Sequence, residues 1–178
     1  MLVIAKIEEE RKAKENEKIQ AAKQALENSS NSSAFISSAQ LLADADEAWK
    51  AYAKAGLITD HETGDTGNNY SFSQCTWWVY IRRHQLGLTA GSLMGNGNQW
   101  ANTARSLGYS VSNTPMVGDV MVFAAGQEGS DGYYGHVAIV EGITTDGSVI
   151  TSECGASRNG QPYSRVISNP SRFEYIHY

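Results

Sequence analysis

Between Asp119 and Tyr178 the apolar positions come in four short runs, DVMVFA, HVAIVEGI, SVITSE and FEYIHY, with turn-forming residues at Pro115, Gly118, Asp146 and Gly147. Runs of this length, rich in Val and Ile and bounded by turn signals, predict strands. Upstream the period changes. Ser73 is placed to cap a helix over Gln74 to Gln85 with Gly87 as its stop, and GNQWANTARSLG predicts a second helix ending at Gly108. Helices first and a run of strands afterwards predict an α+β domain, an antiparallel sheet with helices on one side.

The first third of the chain has a different texture. Residues 5–27 are rich in strong helix formers, but the stripe of Ile4, Ile7, Ile19, Ala22 and Leu26 is broken from Arg11 to Lys18. That pattern predicts an exposed helix or the end of a coiled coil. The polar breaker NSSNSS follows, then a second predicted helix over AFISSAQLLADADEAWKAYAKAG, closed by Gly56. We therefore divide the chain into a helical hairpin or coiled-coil arm with its linker, residues 1–67, and a compact domain, residues 68–178. Charge follows the same division: residues 1–70 hold 8 basic and 12 acidic side chains, and residues 71–178 hold 6 and 7.

Composition narrows the function. A chain of 178 residues with 41% hydrophobic content can bury one proper core without staples. Its net charge of -5 lacks the basic footprint of a nucleic-acid binder, and no apolar run approaches the ~18 residues of a membrane span. The opening MLVIAKIEEE meets charge at Lys6 and has no small-residue cleavage site, so it does not read as a secretory signal. The DHETGDTGNN segment matches no calcium-loop spacing and reads as a solvated linker. No metal and no cofactor is expected.

Two cysteines are too few for a disulfide scaffold or a zinc site. Cys75 falls in the first turn of a predicted helix, where unpaired N–H groups and the positive dipole end favour a thiolate. A thiolate nucleophile needs a base that later protonates the leaving amine. Among four histidines, His84 shares the helix of Cys75, His61 lies in the linker and His177 is penultimate, whereas His136 opens a strand after the small GYYG loop. Folding the following hairpin about ITTDG brings Glu153 across to His136, where it can orient the imidazole. The alternation of a strand then turns Cys154 away from the site. Cysteine at a helix start with histidine and acid on neighbouring strands is how papain-like folds build a nucleophile. The bland alternatives are a buried thiol or a Cys75–Cys154 disulfide, a satisfied strand histidine and a solvent-facing acid.

The blocks QCTWW, GNGNQWANTARSLGY, TPMVGDVMVF, GYYGHVAIVEGI and SVITSE, in this order and spacing, resemble the cysteine, histidine-dependent amidohydrolase/peptidase (CHAP) domain over about residues 70–178. The resemblance implies a papain-like fold and cleavage of a peptidoglycan amide, by an N-acetylmuramoyl-L-alanine amidase or a stem or cross-bridge endopeptidase. It implies Cys75 as nucleophile, His136 as base and acid, Glu153 as orienting group, and Gln74 with the Cys75 N–H near the oxyanion. Trp77, Trp78, Tyr133 and Tyr134 are candidate substrate contacts, although aromatic residues beside a core are usually packing, and Trp100 reads as core or groove wall. Two departures stand out: Gly155 where many members have Asn, and no Asp-rich calcium loop of the phage type. The N-terminal helices look like the coiled-coil tail of exported cell-division hydrolases. That likeness implies a secreted or cell-wall-associated protein and a protein partner for the arm; a separate expectation is autoinhibition by the helices covering the cleft, relieved in a chain starting near Asn68. The competing reading is a catalytically weak wall-binding or assembly module.

Overall fold

A computed structural model describes residues 61–177. The predicted helices of the arm, the partner-binding role given to them and the autoinhibition expectation fall on residues 1–60, outside the described residues.

Helix α1 spans Cys75–Gln85 and helix α2 spans Trp100–Leu107, the latter entered through a single 3-10 turn at Gly97–Gln99. Six strands follow the first helix: β1 (Val111–Ser112), β2 (Val120–Phe123), β3 (His136–Ile143), β4 (Val149–Glu153), β5 (Tyr163–Ile167) and β6 (Glu174–Ile176). They form one antiparallel sheet in the order β1-β6-β2-β3-β4-β5. The four predicted strands are all present, and Gly87 and Gly108 close their helices at positive φ. The strands β1 and β5 were not foreseen.

Strand alternation divides the apolar residues between two faces. Val120, Val122, Val137, Ile139 and Ile176 join Val79, Trp100 and Ala104 of the helices in one buried cluster. Their neighbours Met121, Phe123, Ala138, Val140 and Tyr175 gather on the other side with Val149, Ile167 and Phe173.

Helix α1 packs across β3 and is buried without interruption from Thr76 to Arg83. Two arginines in that run need partners. Arg83 donates to the carbonyls of Thr89 (2.9 Å) and Gly118 (2.6 Å). Arg82 grips Glu141 of β3 with two bonds, Nε to Oε1 at 2.8 Å and Nη2 to Oε2 at 3.0 Å. The Ser152 hydroxyl also donates to Glu141, and Trp78 Nε1 donates to Ser152 Oγ at 3.0 Å. This buried network locks α1 onto the β3–β4 hairpin, so the element carrying Cys75 and the two carrying His136 and Glu153 move as one body.

Trp77 is 2% exposed and Trp78 is fully buried, which corrects their assignment as substrate contacts. The cleft takes only the start of this helix, at Cys75 and Thr76, and both indole rings pack inside. Trp100, 1% exposed, is core.

Candidate active site

The start of α1 departs from expectation in a way that shapes the site. Gln74, not Ser73, occupies the N-cap position, and no side chain caps the helix. Ser73 has φ +68, which turns its hydroxyl away from the first-turn N–H groups. Instead its Oγ donates to Gly155 O (2.7 Å) and accepts from Gly160 N (2.8 Å), pinning the chain before Cys75 to the β4–β5 connection. The uncapped first turn is left facing a cleft of about 610 Å³, which both Gln74 and Cys75 line.

The hairpin meets the cleft at its open end. Ile139 pairs with Ser152 and Val140 with Thr151, but beyond a bulge Gly142 pairs with Ile150 and Ile143 with Val149. Continued inward, the outer register would set Glu153 opposite Ile139, on the face away from His136. The bulge at Glu141 shifts the count by one and returns Glu153 to the face of Ala138 and His136. Glu153 therefore stands diagonal to His136, one step from the direct opposition that a simple fold about ITTDG predicts. The diagonal is short enough: His136 Nε2 lies 2.9 Å from Glu153 Oε2.

With Nε2 held by the carboxylate, Nδ1 is the ring atom left for Cys75, and both side chains line the same cleft. Cys75 is half-buried and the His136 side chain is 14% exposed, so both are reachable from the cleft. Phe123 stands edge-on to the imidazole at 5.4 Å and limits its rotation. Burial works against the imidazolium, but hydrogen bonds and charge from Cys75 and Glu153 outweigh it, and the His136 pKa is pushed up to about 9.

Glu153 is fully buried and more heavily bonded than the sequence indicated. Arg165 grips both of its oxygens, Nε to Oε1 at 2.9 Å and Nη2 to Oε2 at 2.8 Å. Thr151 Oγ1 donates to Oε1 and Tyr163 OH donates to Oε2 at 3.1 Å. Burial would raise its pKa, yet the bonds from His136 and Arg165, with the nearby imidazolium and Thr151, hold it down at about 2. Arg165 and Tyr163 belong to β5, which the sequence reading passed over. Their signal was a Tyr-x-Arg spacing that puts a cation and a hydroxyl on one face beside the acid.

Cys154 is fully buried beside Ser73, with a free thiol whose pKa burial raises, and Cys75 is free as well. Tyr133 and Tyr134, by contrast, are 76% and 52% exposed, and Tyr134 lines the cleft. Gly155 has extended backbone, and a Cβ there would meet nothing within 4 Å, so the departure from Asn leaves open space at the cleft edge. Among the described residues no three His, Cys, Asp or Glu side chains gather as a metal site, and no helix is long and apolar enough to cross a membrane.

One close approach fixes the histidine from behind. A Cβ at Gly97 would come within 2.7–2.8 Å of the His136 backbone, a gap no real Cβ tolerates. Gly97→Ala is expected to displace the first residue of β3 and lower kcat by about tenfold to a hundredfold. Far-ultraviolet circular dichroism should stay close to that of the parent chain. Full activity in this variant would mean that the position of His136 is not set by this contact.

The CHAP domain family model matches residues 65–155. The chain is 40% identical over 111 residues to the probable autolysin LDP of Staphylococcus aureus (strain NCTC 8325 / PS 47), covering 62% of this chain and 38% of that protein. It is 42% identical over 113 residues to the staphylococcal secretory antigen SsaA of Staphylococcus aureus (strain Newman), covering 62% and 41%. A crystal structure of an N-acetylmuramoyl-L-alanine amidase from Staphylococcus aureus superposes with a TM-score of 0.60 at 33% identity, covering 72% of this chain and 39% of that one. The chain thus spans about two fifths of the length of these relatives. With the family match covering more than half of its residues and enclosing Cys75, His136 and Glu153, the chain belongs to the CHAP domain family.

Proposed function

We propose that this protein hydrolyses an amide bond of peptidoglycan, outside the cell, through an acyl-enzyme on Cys75. The observation that carries this reading is Cys75 at the head of an uncapped helix, sharing an open cleft with a histidine that a buried carboxylate orients. The names of the relatives, an autolysin, a secretory antigen and a muramoyl-alanine amidase, support the substrate and the location.

In this mechanism the Cys75 sulfur attacks the amide carbonyl while the first-turn N–H groups and Gln74 receive the developing oxyanion. The C–N bond breaks, and the departing nitrogen takes the proton carried by His136. Water then gives a proton back to His136 as it attacks the thioester, and the C–S bond breaks to release the Cys75 thiolate beside the restored imidazolium. Glu153, with its four protein partners, keeps one ring nitrogen occupied so that the other faces the reaction throughout.

Mass spectrometry of soluble fragments from purified peptidoglycan tests this. Intact stem peptides would identify the lactyl–alanine amide as the bond cut, and split stems or bridges would identify an endopeptidase. Absence of any fragment would sink the hydrolase reading in favour of a wall-binding module.

A further inference from the structure

The cleft wall that carries His136 continues into a short loop, residues 131–135, that is held unusually firmly. Asp131 Oδ1 accepts from the N–H groups of Tyr133 and Tyr134, both at 2.8 Å. Asn98 ties the same loop from the other side, its N–H donating to Tyr134 O (2.9 Å) and its Nδ2 to Tyr133 O (3.0 Å). Asp131 O receives Gly126 N and Gly135 N. The result is a carboxylate at the cleft whose backbone is fixed on three sides, with two exposed tyrosine rings edge to face at 4.9 Å beside it. The N–H groups of Tyr134 and Tyr133 also hold the Asp131 carboxyl below its ordinary pKa, so it carries charge at any working pH.

Apart from the Cys75–His136 pair, Asp131 is the one formally charged side chain among the described residues that line the cleft. The rest of the lining offers neutral groups such as Asn69, Tyr70, Gln74 and Asn96. His136 must protonate the departing nitrogen, so the amine-side portion of the substrate lies against the wall that His136 shares with Asp131 and Tyr134. A fixed carboxylate next to tyrosine faces suits a primary ammonium, through charge and through the ring quadrupole together.

We propose that Asp131 and Tyr134 form a specificity subsite for a free primary ammonium on the leaving-group side of the scissile amide. This rests on the hydrolase reading above for the orientation of the substrate. Its consequence is that the enzyme prefers stem peptides whose diamino residue is uncrosslinked over those whose side-chain amine is already acylated.

Binding separates the two ideas. A muramyl peptide with one lysine in its stem, and the same peptide Nε-acetylated, are titrated calorimetrically into the full chain carrying Cys75→Ala. The free amine should bind about threefold to fivefold more tightly at low salt, a preference that fades as added salt screens an exposed pair. Adding Asp131→Asn, whose Oδ1 still accepts both loop N–H groups, should bring the ratio to about one. Equal binding of the two peptides, no binding of either, or a ratio unchanged by Asp131→Asn would overturn the subsite. Cleavage of both peptides by the Cys75-bearing chain is scored separately. A preference in binding without any cleavage would leave the subsite standing and defeat the hydrolase reading.

Discussion

Replacing Cys75 by alanine should lower kcat on peptidoglycan by about 10⁴-fold or more, because loss of a nucleophile leaves only oxyanion and binding contributions. The fold should be nearly indifferent. Cys75 is half-buried at a helix terminus and makes none of the bonds in the Trp78–Ser152–Glu141–Arg82 network, so its cost in stability should stay below about 1 kcal/mol. A second signature accompanies the loss. Part of what raises the His136 pKa comes from Cys75, so NMR titration of the imidazole in Cys75→Ala should show a lower pKa than in the parent. Iodoacetamide should label the native chain once, at Cys75, and spare the buried Cys154. Activity within tenfold of the parent would remove Cys75 from the mechanism.

Glu153→Gln should cost about 10³-fold in kcat, and its pH dependence is the more telling result. In the parent the imidazolium persists to about pH 9, so kcat/KM should decline on the alkaline side as pH passes that value. Removing the carboxylate takes away one of the groups that favour the imidazolium, so the alkaline limb should move to lower pH. Glutamine keeps the shape but leaves Arg165 without its counter-charge, and the variant should lose about 2 kcal/mol of stability in a denaturant titration. The sign of the linkage follows from the two shifts. Glu153, depressed from 4.5 to about 2, contributes stability above about pH 4.5 that is lost as pH falls towards 2. His136, raised from 6.5 to about 9, contributes stability below about pH 6.5 that is lost as pH rises through 9. The parent should thus be most stable between these limits, and Glu153→Gln should flatten both edges. An alkaline limb that does not move would mean that Glu153 leaves the protonation of His136 untouched.

The parts of this site that are legible in the sequence belong to elements with strong periodic signals. Helix α1 and strands β2, β3 and β4 are bounded by turn chemistry, and their positions put Cys75, His136 and Glu153 at element ends. What stayed hidden was either irregular or at the edge. Strand β5 at the sheet edge buries only Ile167 fully, while Val166 is 52% exposed, so no alternation marked it, and Arg165 and Tyr163 went with it. The bulge at Glu141 has no residue signature, though it decides which face Glu153 takes. Ser73 carried a capping residue type, but its left-handed backbone spends the hydroxyl on Gly155 and Gly160. Trp77 and Trp78 were misplaced because proximity in sequence to a reactive thiol says nothing about which way a helix turns its next residues.

Strand β6 pairs with β1 on one side and with β2 on the other, although both were added to the chain some fifty residues or more earlier. A nascent chain emerging from the ribosome can assemble the β2–β3–β4 meander as it appears, and later β5. It must leave the facing edges of β1 and β2 unsatisfied until Glu174–Ile176 arrives and slots between them. Every reactive side chain is therefore synthesised well before the sheet that holds it can close. Sheet closure, and with it the finished wall behind the cleft, waits for the last strand to be made.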